Sequence, residues 1–294
     1  MATISVAVPR KGRPLEAVLE RLAARTGARG VADDVVSTLR YEKALTKGTQ
    51  TTDAPVYDRL AAYSDRDDPY APEYTLLRDA RAGFPRRVVF DSLTIPAGDH
   101  DLLLVGREEP FRSLRKHEFA LGFDSADLVL EEVVTLDADP LADIEAVNGR
   151  IDPRDTDVRV VGGLGDTVYH TLLATPVVGD GDLDRSFVEG YAGPLCVSPR
   201  YERLVEAVLG TRATEDVEFC YPAESETEEE AISDAGLGVY VTVTGSTARD
   251  HGLVLGERLF PSETVLLENR RELTSAEAGV KELFSSAETE LTVR

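Results

Sequence analysis

Short apolar runs alternate along this chain with stretches that are apolar at every third and fourth position. Residues 4–8 (ISVAV), 87–90 (RVVF), 101–105 (DLLLV), 158–161 (VRVV), 195–197 (LCV), 217–221 (VEFCY), 238–243 (GVYVTV) and 264–268 (TVLLE) read as strands. Residues 15–24 (LEAVLERLAA), 202–209 (ERLVEAVL) and 275–284 read as helices. Residues 128–136 (LVLEEVVTL) continue the strand pattern, and the glycine-rich GGLGD at 162–166 leads into a helical stretch over 167–174. Two periods taking turns in this way specify an α/β protein with mixed and parallel sheets. Residues 25–72 are mixed and polar. Three zones, 45–75, 137–157 and 176–192, read as long surface loops.

At 294 residues and 42% hydrophobic, the chain can bury one large core or two ordinary ones. No apolar run reaches the ~20 residues of a membrane span, so a soluble cytoplasmic protein is expected. Cys196 and Cys220 sit in apolar contexts and are expected as reduced core thiols. The four histidines are scattered and suggest no metal site. Acids outnumber bases 54 to 32, giving a net charge of -22. With no basic patch in the sequence, a nucleic-acid partner is not expected. Only five bases are lysine: Lys11, Lys43, Lys47, Lys116 and Lys281. An acidic, lysine-poor surface suits a high-salt solvent, where screening limits repulsion among carboxylates. The acid run ESETEEE at 224–230 reads as a solvated loop or helix start.

Two stretches could hold an anion. In YVTVTGSTARDHG, residues 240–252, a strand ends near Thr244, a turn follows, and a helix begins at Ala248. Amide groups at a helix start lack internal partners and favour an anion. Thr244, Ser246 and Thr247 add hydroxyls, and Gly245 allows close approach to the backbone. The same residues also make an ordinary N-cap. At the N-terminus, the strand ending at Val8 is followed by PRKGRP, with Arg10, Lys11 and Arg13 close together. Such a loop suits a di- or triphosphate, or else is simply solvated. Arg107-Glu108-Glu109 closes another strand. His170 reads as a buried or capping histidine, and Asp67-Asp68 as a turn.

Taken in order, five segments resemble the ATP phosphoribosyltransferases of histidine biosynthesis. VAVPRKGR is similar to their VPNKGR, and SLTIPAGDHDLLLVGRE to their DIP and DLGITGxD segments. LGFDSADLVL is similar to LGFG-xx-RLV, LCVSPRYERLVEAVL to RIATxYPxLTRxY, and VYVTVTGSTARDHGLV to the D-x-VSTGxTLxxNGL loop for phosphoribosyl diphosphate. The resemblance implies two periplasmic-binding-protein-like lobes with a ligand cleft between them. Lobe I would span 1–115, with 255–294 returning to it, and lobe II would span 116–254. It also implies transfer of a phosphoribosyl group to ATP with Mg²⁺, with Lys11, Arg13, Thr244, Gly245, Ser246 and Thr247 on phosphates. As partners it implies a second copy of the chain or a histidyl-tRNA-synthetase-like regulatory subunit, as in the short form of the enzyme. The two acids that precede the family's loop fall at Gly236 and Tyr240 here, and its serine at Val243. Asp234 and Tyr240 are the remaining candidates for a ribose or metal contact, and no catalytic residue is assigned. The loss of both acids leaves a second expectation. The chain would then be a paralogue, altered or inactive in catalysis, that binds a nucleotide or sugar phosphate as a sensor or regulatory subunit.

Overall fold

The computed structural model describes residues 2–65, 67–78, 86–179, 181–223 and 225–285. Glu224 of the acid run and residues 286–294 of the returning segment lie outside the described residues. Two compact units are present, one of Met1–Asp124, Asp157–Leu164 and Thr264–Arg294, the other of Ser125–Thr156 and Gly165–Glu263. In chain order the first unit contains β1 (Ala2–Pro9), α1 (Gly12–Thr26), α2 (Arg29–Thr46), α3 (Val56–Tyr63), β2 (Glu73–Arg78), β3 (Arg86–Ala97), β4 (His100–Arg107), α4 (Pro110–Arg115) and β5 (Leu121–Ser125). The chain then makes α5 (Ala126–Glu132) in the second unit and returns to the first for β6 (Val158–Gly163). The second unit is completed by β7 (Val168–Ala174), α6 (Arg185–Glu189), β8 (Gly193–Cys196), α7 (Glu202–Leu209), β9 (Val217–Cys220), α8 (Glu228–Ala235), β10 (Leu237–Thr242), α9 (Ser246–Asp250) and β11 (Val254–Ser262). The strand β12 (Thr264–Asn269) and the helix α10 (Ser275–Ser285) belong to the first unit.

The first sheet has the order β2-β3-β4-β1-β5-β12-β6. At its centre β1 pairs in parallel with β4 and β5, while β3 runs antiparallel to β2 and β4, and β6 antiparallel to β12. A strand between two neighbours has both faces to cover, which is why β1 is apolar without alternation. Val6, Ala7 and Val8 are fully buried. Leu15, Val18, Leu19 and Leu22 of α1, spaced for one helical face, pack into the same core as Phe90, Leu104 and Phe123.

The second sheet has the order β11-β7-β10-β8-β9. Its β7 is antiparallel to β10 and β11, and its β8 is parallel to β10 and β9. Leu173, Cys196, Ala231, Ile232, Ala248 and Leu253 form a core on one side of it. Both cysteines are free thiols, Cys196 being buried.

Several elements differ from the sequence reading. Residues 167–174 form strand β7 and not a helix. A seven-residue apolar run fits either period, and pairing with strands on both sides decides it. Residues 128–136 are mostly helix α5, started by Ser125, whose hydroxyl accepts from the Asp127 amide. The polar stretch 25–72 contains α2 and α3. Only Ala32, Val35, Glu42 and Leu45 of α2 are buried, too thin an apolar stripe to stand out by periodicity. Residues 116–124 and 157–164, read as lobe II, supply β5 and β6 to the first sheet, and 255–263, read as lobe I, lie in β11 of the second. Backbone pairing sets these memberships, and it leaves no mark in the local pattern. Among the described residues, no helix is long and apolar enough to cross a membrane.

Candidate functional site

In the second unit a turn follows β10, but it lies two residues earlier than the sequence reading placed it, with α9 starting at Ser246 and not at Ala248. Strand β10 ends at Thr242, and Thr244, Ser246 and Thr247 are exposed. Gly245 has φ 69°, in the left-handed region, and is the residue from which α9 starts. A Cβ at Gly245 would overlap the Leu255 side chain, so backbone shape and packing both require glycine. The Thr244 hydroxyl lies 3.1 Å from that of Ser246 and accepts from the Ser246 amide at 3.4 Å. Arg249 turns back to donate to the Thr244 carbonyl at 3.0 Å, and His251 Nδ1 donates to the Thr247 carbonyl at 2.9 Å. The turn is therefore held from behind, with its hydroxyls exposed. The helix is five residues long and has no side-chain cap.

Around this turn, Gly236 closes α8 with φ 91°, and its missing Cβ leaves room for Val178. Tyr240 is half-buried against the second core. Burial holds its phenol above the ordinary range, with Glu228 and Glu229 adding to the effect. Asp234 is exposed on α8 and lines a polar cavity of about 560 Å³ with Glu226, Glu230, Ser233 and His251. His251 thus adjoins both that cavity and the turn. Val243, at the place of the family serine, is 75% exposed and offers no donor.

In the first unit Arg10 and Lys11 follow the C-terminal end of β1, beside its parallel neighbour β4. Arg10 is structural. Its Nε donates to the Gly106 carbonyl at 3.1 Å, its guanidinium meets Asp91 at 3.5 Å, and its carbonyl accepts from the Phe90 amide at 3.1 Å. Gly106 has no room for a side chain, since a Cβ would lie 2.6 Å from the Phe90 carbonyl oxygen. Lys11 reaches Glu108 at 3.5 Å with both side chains over 40% exposed. Glu109 pairs with Arg112, and Arg107 lies over the Phe119 ring at 4.9 Å. Arg13 lies in the first turn of α1.

Sequence reasoning missed two groupings. His170 Nε2 is 3.1 Å from Asp127 Oδ1, and the Ser262 hydroxyl donates to Asp127 Oδ2 at 2.9 Å. All three are buried. The acid stands between serine and histidine, so the histidine has no hydroxyl to deprotonate and the order is wrong for a nucleophilic triad. The group ties α5, β7 and β11 together. In addition, Lys11 lines a cavity of about 280 Å³ in the first unit with Arg40, Lys43, Lys47 and Arg87. The scarcity of lysine could have pointed to it. Among the described residues, no group of three or more histidine, cysteine or acid side chains could hold a metal ion.

A family described as halobacterial ATP phosphoribosyltransferase matches this chain over residues 1–294. No curated protein sequence matches it. Among solved structures, the ATP phosphoribosyl transferase (HisG:HisZ) complex from Thermotoga maritima is similar at 13% identity and TM-score 0.41, over 95% of this chain and 94% of that one. A double mutant of the BvgS VFT2 domain from Bordetella pertussis is similar at 12% identity and TM-score 0.37, over 97% and 88%.

Proposed function

Because the chain belongs to the halobacterial ATP phosphoribosyltransferase family, we propose that it is a glycosyltransferase acting on phosphoribosyl diphosphate and ATP. The family match over residues 1–294 is the observation that carries this reading. In the reaction a ring nitrogen of ATP bonds to the anomeric carbon. The bond from that carbon to the diphosphate oxygen breaks, and diphosphate leaves with the electron pair. Such a step needs alignment and charge stabilisation and no covalent nucleophile. The exposed hydroxyls of Thr244, Ser246 and Thr247, on a turn fixed by Gly245, support a role in holding the phosphate of phosphoribosyl diphosphate. Lys11 and Arg13 would bring positive charge to an oligophosphate. Positions 236 and 240 offer no carboxylate, and among the described residues no group of acids, histidines or cysteines could hold a metal ion, so Mg²⁺ would enter with the substrate's diphosphate and supply charge neutralisation for the leaving group. A second copy of the chain, or a histidyl-tRNA-synthetase-like regulatory subunit, would complete the assembly in the cytoplasm.

One observation favours a second reading. Gly236 is fixed by its backbone conformation, and Tyr240 is packed against a core. Neither can grip ribose hydroxyls as an acid would. A paralogue that binds a nucleotide or sugar phosphate as a sensor or regulatory subunit would tolerate both.

The full chain, in concentrated KCl with Mg²⁺, ATP and phosphoribosyl diphosphate, separates the two when phosphoribosyl-ATP is sought by mass spectrometry. Product formation establishes the transferase. Stabilisation by phosphoribosyl diphosphate without product establishes the sensor, and at a hundred times Kd that stabilisation is about 2.7 kcal/mol. Neither product nor stabilisation overturns both.

A further inference from the structure

The only two cysteines among the 294 residues lie opposite one another. In the second sheet β8 and β9 run in parallel, and Cys196, the last residue of β8, is in register with Cys220, the last residue of β9. The Val197 amide donates to the Cys220 carbonyl at 2.9 Å, which fixes the pairing at this point. Residues opposite each other on adjacent strands present their side chains to the same face of the sheet. Both thiols accordingly join one core cluster with Ala231 and Ile232 of α8, Cys196 inside it and Cys220 packed against it. Adjacent strands lie about 4.8 Å apart, inside the ~4.4–6.8 Å between α-carbons that a disulfide spans. The two side chains are close enough for the thiols to hydrogen-bond.

The two thiols differ in access. Cys196 is 1% exposed, whereas Cys220 is half-buried at the end of β9, the edge strand of the sheet. A reagent in solution can meet Cys220, and it reaches Cys196 only through Cys220. Burial first, and the neighbouring Cys220 second, push the Cys196 thiol up to about 12, with Glu226 and Glu228 acting in the same direction. Burial also raises the Cys220 thiol, against the effect of its hydrogen bond with Cys196. A catalytic or peroxide-sensing thiolate sits in the opposite, electropositive setting, so the pair is not built as a nucleophile. Packing alone would explain one small apolar thiol, but it does not require the chain's second cysteine at the facing position.

We propose that Cys196 and Cys220 are a redox modification site, a dithiol that closes to a reversible disulfide by exchange with low-molecular-weight disulfides. Cys220 gives up its proton, and its thiolate attacks one sulfur of the small disulfide. A mixed disulfide forms on Cys220, and one small thiol leaves with the electron pair and a proton. The Cys196 thiol then loses its proton, and its sulfur attacks Cys220 Sγ. The bond from Cys220 to the second small thiol breaks, and that thiol leaves with the electron pair and a proton. In sum, two protein thiols are oxidised to one disulfide, and the small disulfide is reduced to two thiols. The new bond closes the loop that contains α7 and ties the edge strand to its neighbour, where the chain leaves β9 for α8. The inference does not depend on the transferase reading, since no residue assigned to phosphate takes part.

Oxidised glutathione tests this on the folded full chain in concentrated KCl. After incubation the remaining thiols are alkylated, and the peptides are mapped by mass spectrometry. The parent should lose both thiols together and yield a peptide linked through Cys196 and Cys220. Chains with glutathione left on Cys220 should be at least about tenfold rarer, because the second thiol is already in place. Excess dithiothreitol should restore both thiols. Cys196→Ala should stop at glutathione on Cys220, and Cys220→Ala should take up almost none, since Cys196 is buried. The oxidised parent should unfold at a higher urea midpoint than the reduced parent, a difference that Cys220→Ala should lack. The mapping of the parent needs no variant, so a variant that fails to fold leaves the test intact. The proposal is overturned if the parent keeps both thiols, if it stops at glutathione on Cys220, or if the disulfide forms between two chains. It is also overturned if the oxidised parent is the less stable form, because β8 and β9 would then have to part to make the bond.

Discussion

Gly236 faces Val178 across a gap that admits no side chain. A Cβ at Gly236 would lie 2.9 Å from Val178 Cγ2, and φ at Gly236 is 91°. Where the resemblance to ATP phosphoribosyltransferases would place an acid, the chain has a residue that ends α8 in a left-handed cap, as glycine does most readily. Restoring that acid should damage the fold before it mends any site. Gly236→Asp should cost about 2 kcal/mol or more, seen as a lower midpoint in urea. A variant as stable as the parent would show that the cap does not constrain this position.

Gly245 is restricted twice, by φ 69° and by Leu255. Gly245→Ala should destabilise the second unit by about 2 kcal/mol and weaken binding of phosphoribosyl diphosphate. Leu255→Ala in the same chain removes the overlap but not the backbone strain. The double variant should regain part of the loss, and a double-mutant cycle should report clear non-additivity. Strict additivity would place the side chain of Leu255 away from the turn.

Glu42 is buried on α2, with Arg59 at 2.7 and 2.9 Å and the Tyr63 hydroxyl donating to it at 2.9 Å. Glu42→Ala should cost about 3 kcal/mol, because Arg59 is left without its partner. Burial first, and Glu42 second, push the Tyr63 phenol up to about 12. An unfolded chain releases that proton near pH ~10. Between these values the folded state holds more protons, so stability is full below pH ~10 and falls as pH rises toward 12. Tyr201 in the second unit, also pushed up to about 12 by burial, follows the same sign. Tyr63→Phe should flatten part of the alkaline loss in a pH series of denaturation curves. An unchanged slope would refute the role assigned to this phenol.

Asp127 accepts from Ser262 and meets His170 inside the second unit. His170 Nδ1 is buried and, among the described residues, finds no hydrogen-bond partner. Asp127→Ala would leave the imidazole with no partner at either nitrogen and should cost about 3 kcal/mol. Ser262→Ala removes one neutral donor and should cost about 1 kcal/mol. Neither should alter the affinity for phosphoribosyl diphosphate measured on folded protein. A large loss of affinity in Ser262→Ala, without loss of stability, would return this group to the list of functional residues.

Much of the frame was legible in order along the chain. The run ISVAV followed by LEAVLERLAA specified β1 and α1, since a fully apolar strand and a one-sided helix have distinct periods. The turn after β10 was legible from its glycine and hydroxyls, which are local requirements, but its bounds were not: the strand ends and the helix begins two residues earlier than the sequence pattern indicates. Helix α2 was not legible, since its buried face contains the charged Glu42 and few apolar residues. Strand β7 was misread because VYHTLLA is too short for its period to be distinctive.

The sequence by itself determined the α/β class, the apolar strand at the centre of the first sheet, the strand–turn–helix after β10, and the ordered motifs of the family. These depend on neighbours within a few residues, and local sterics and periodicity record them. Tertiary structure alone decided which strands run antiparallel, that Gly236 is a cap, that His170 meets an acid 43 residues away, and that Lys43 and Lys47 join Lys11 around one cavity. Each of these depends on a partner brought close only when distant segments pair or pack. The free energy of that pairing belongs to both segments jointly, and neither one encodes it alone.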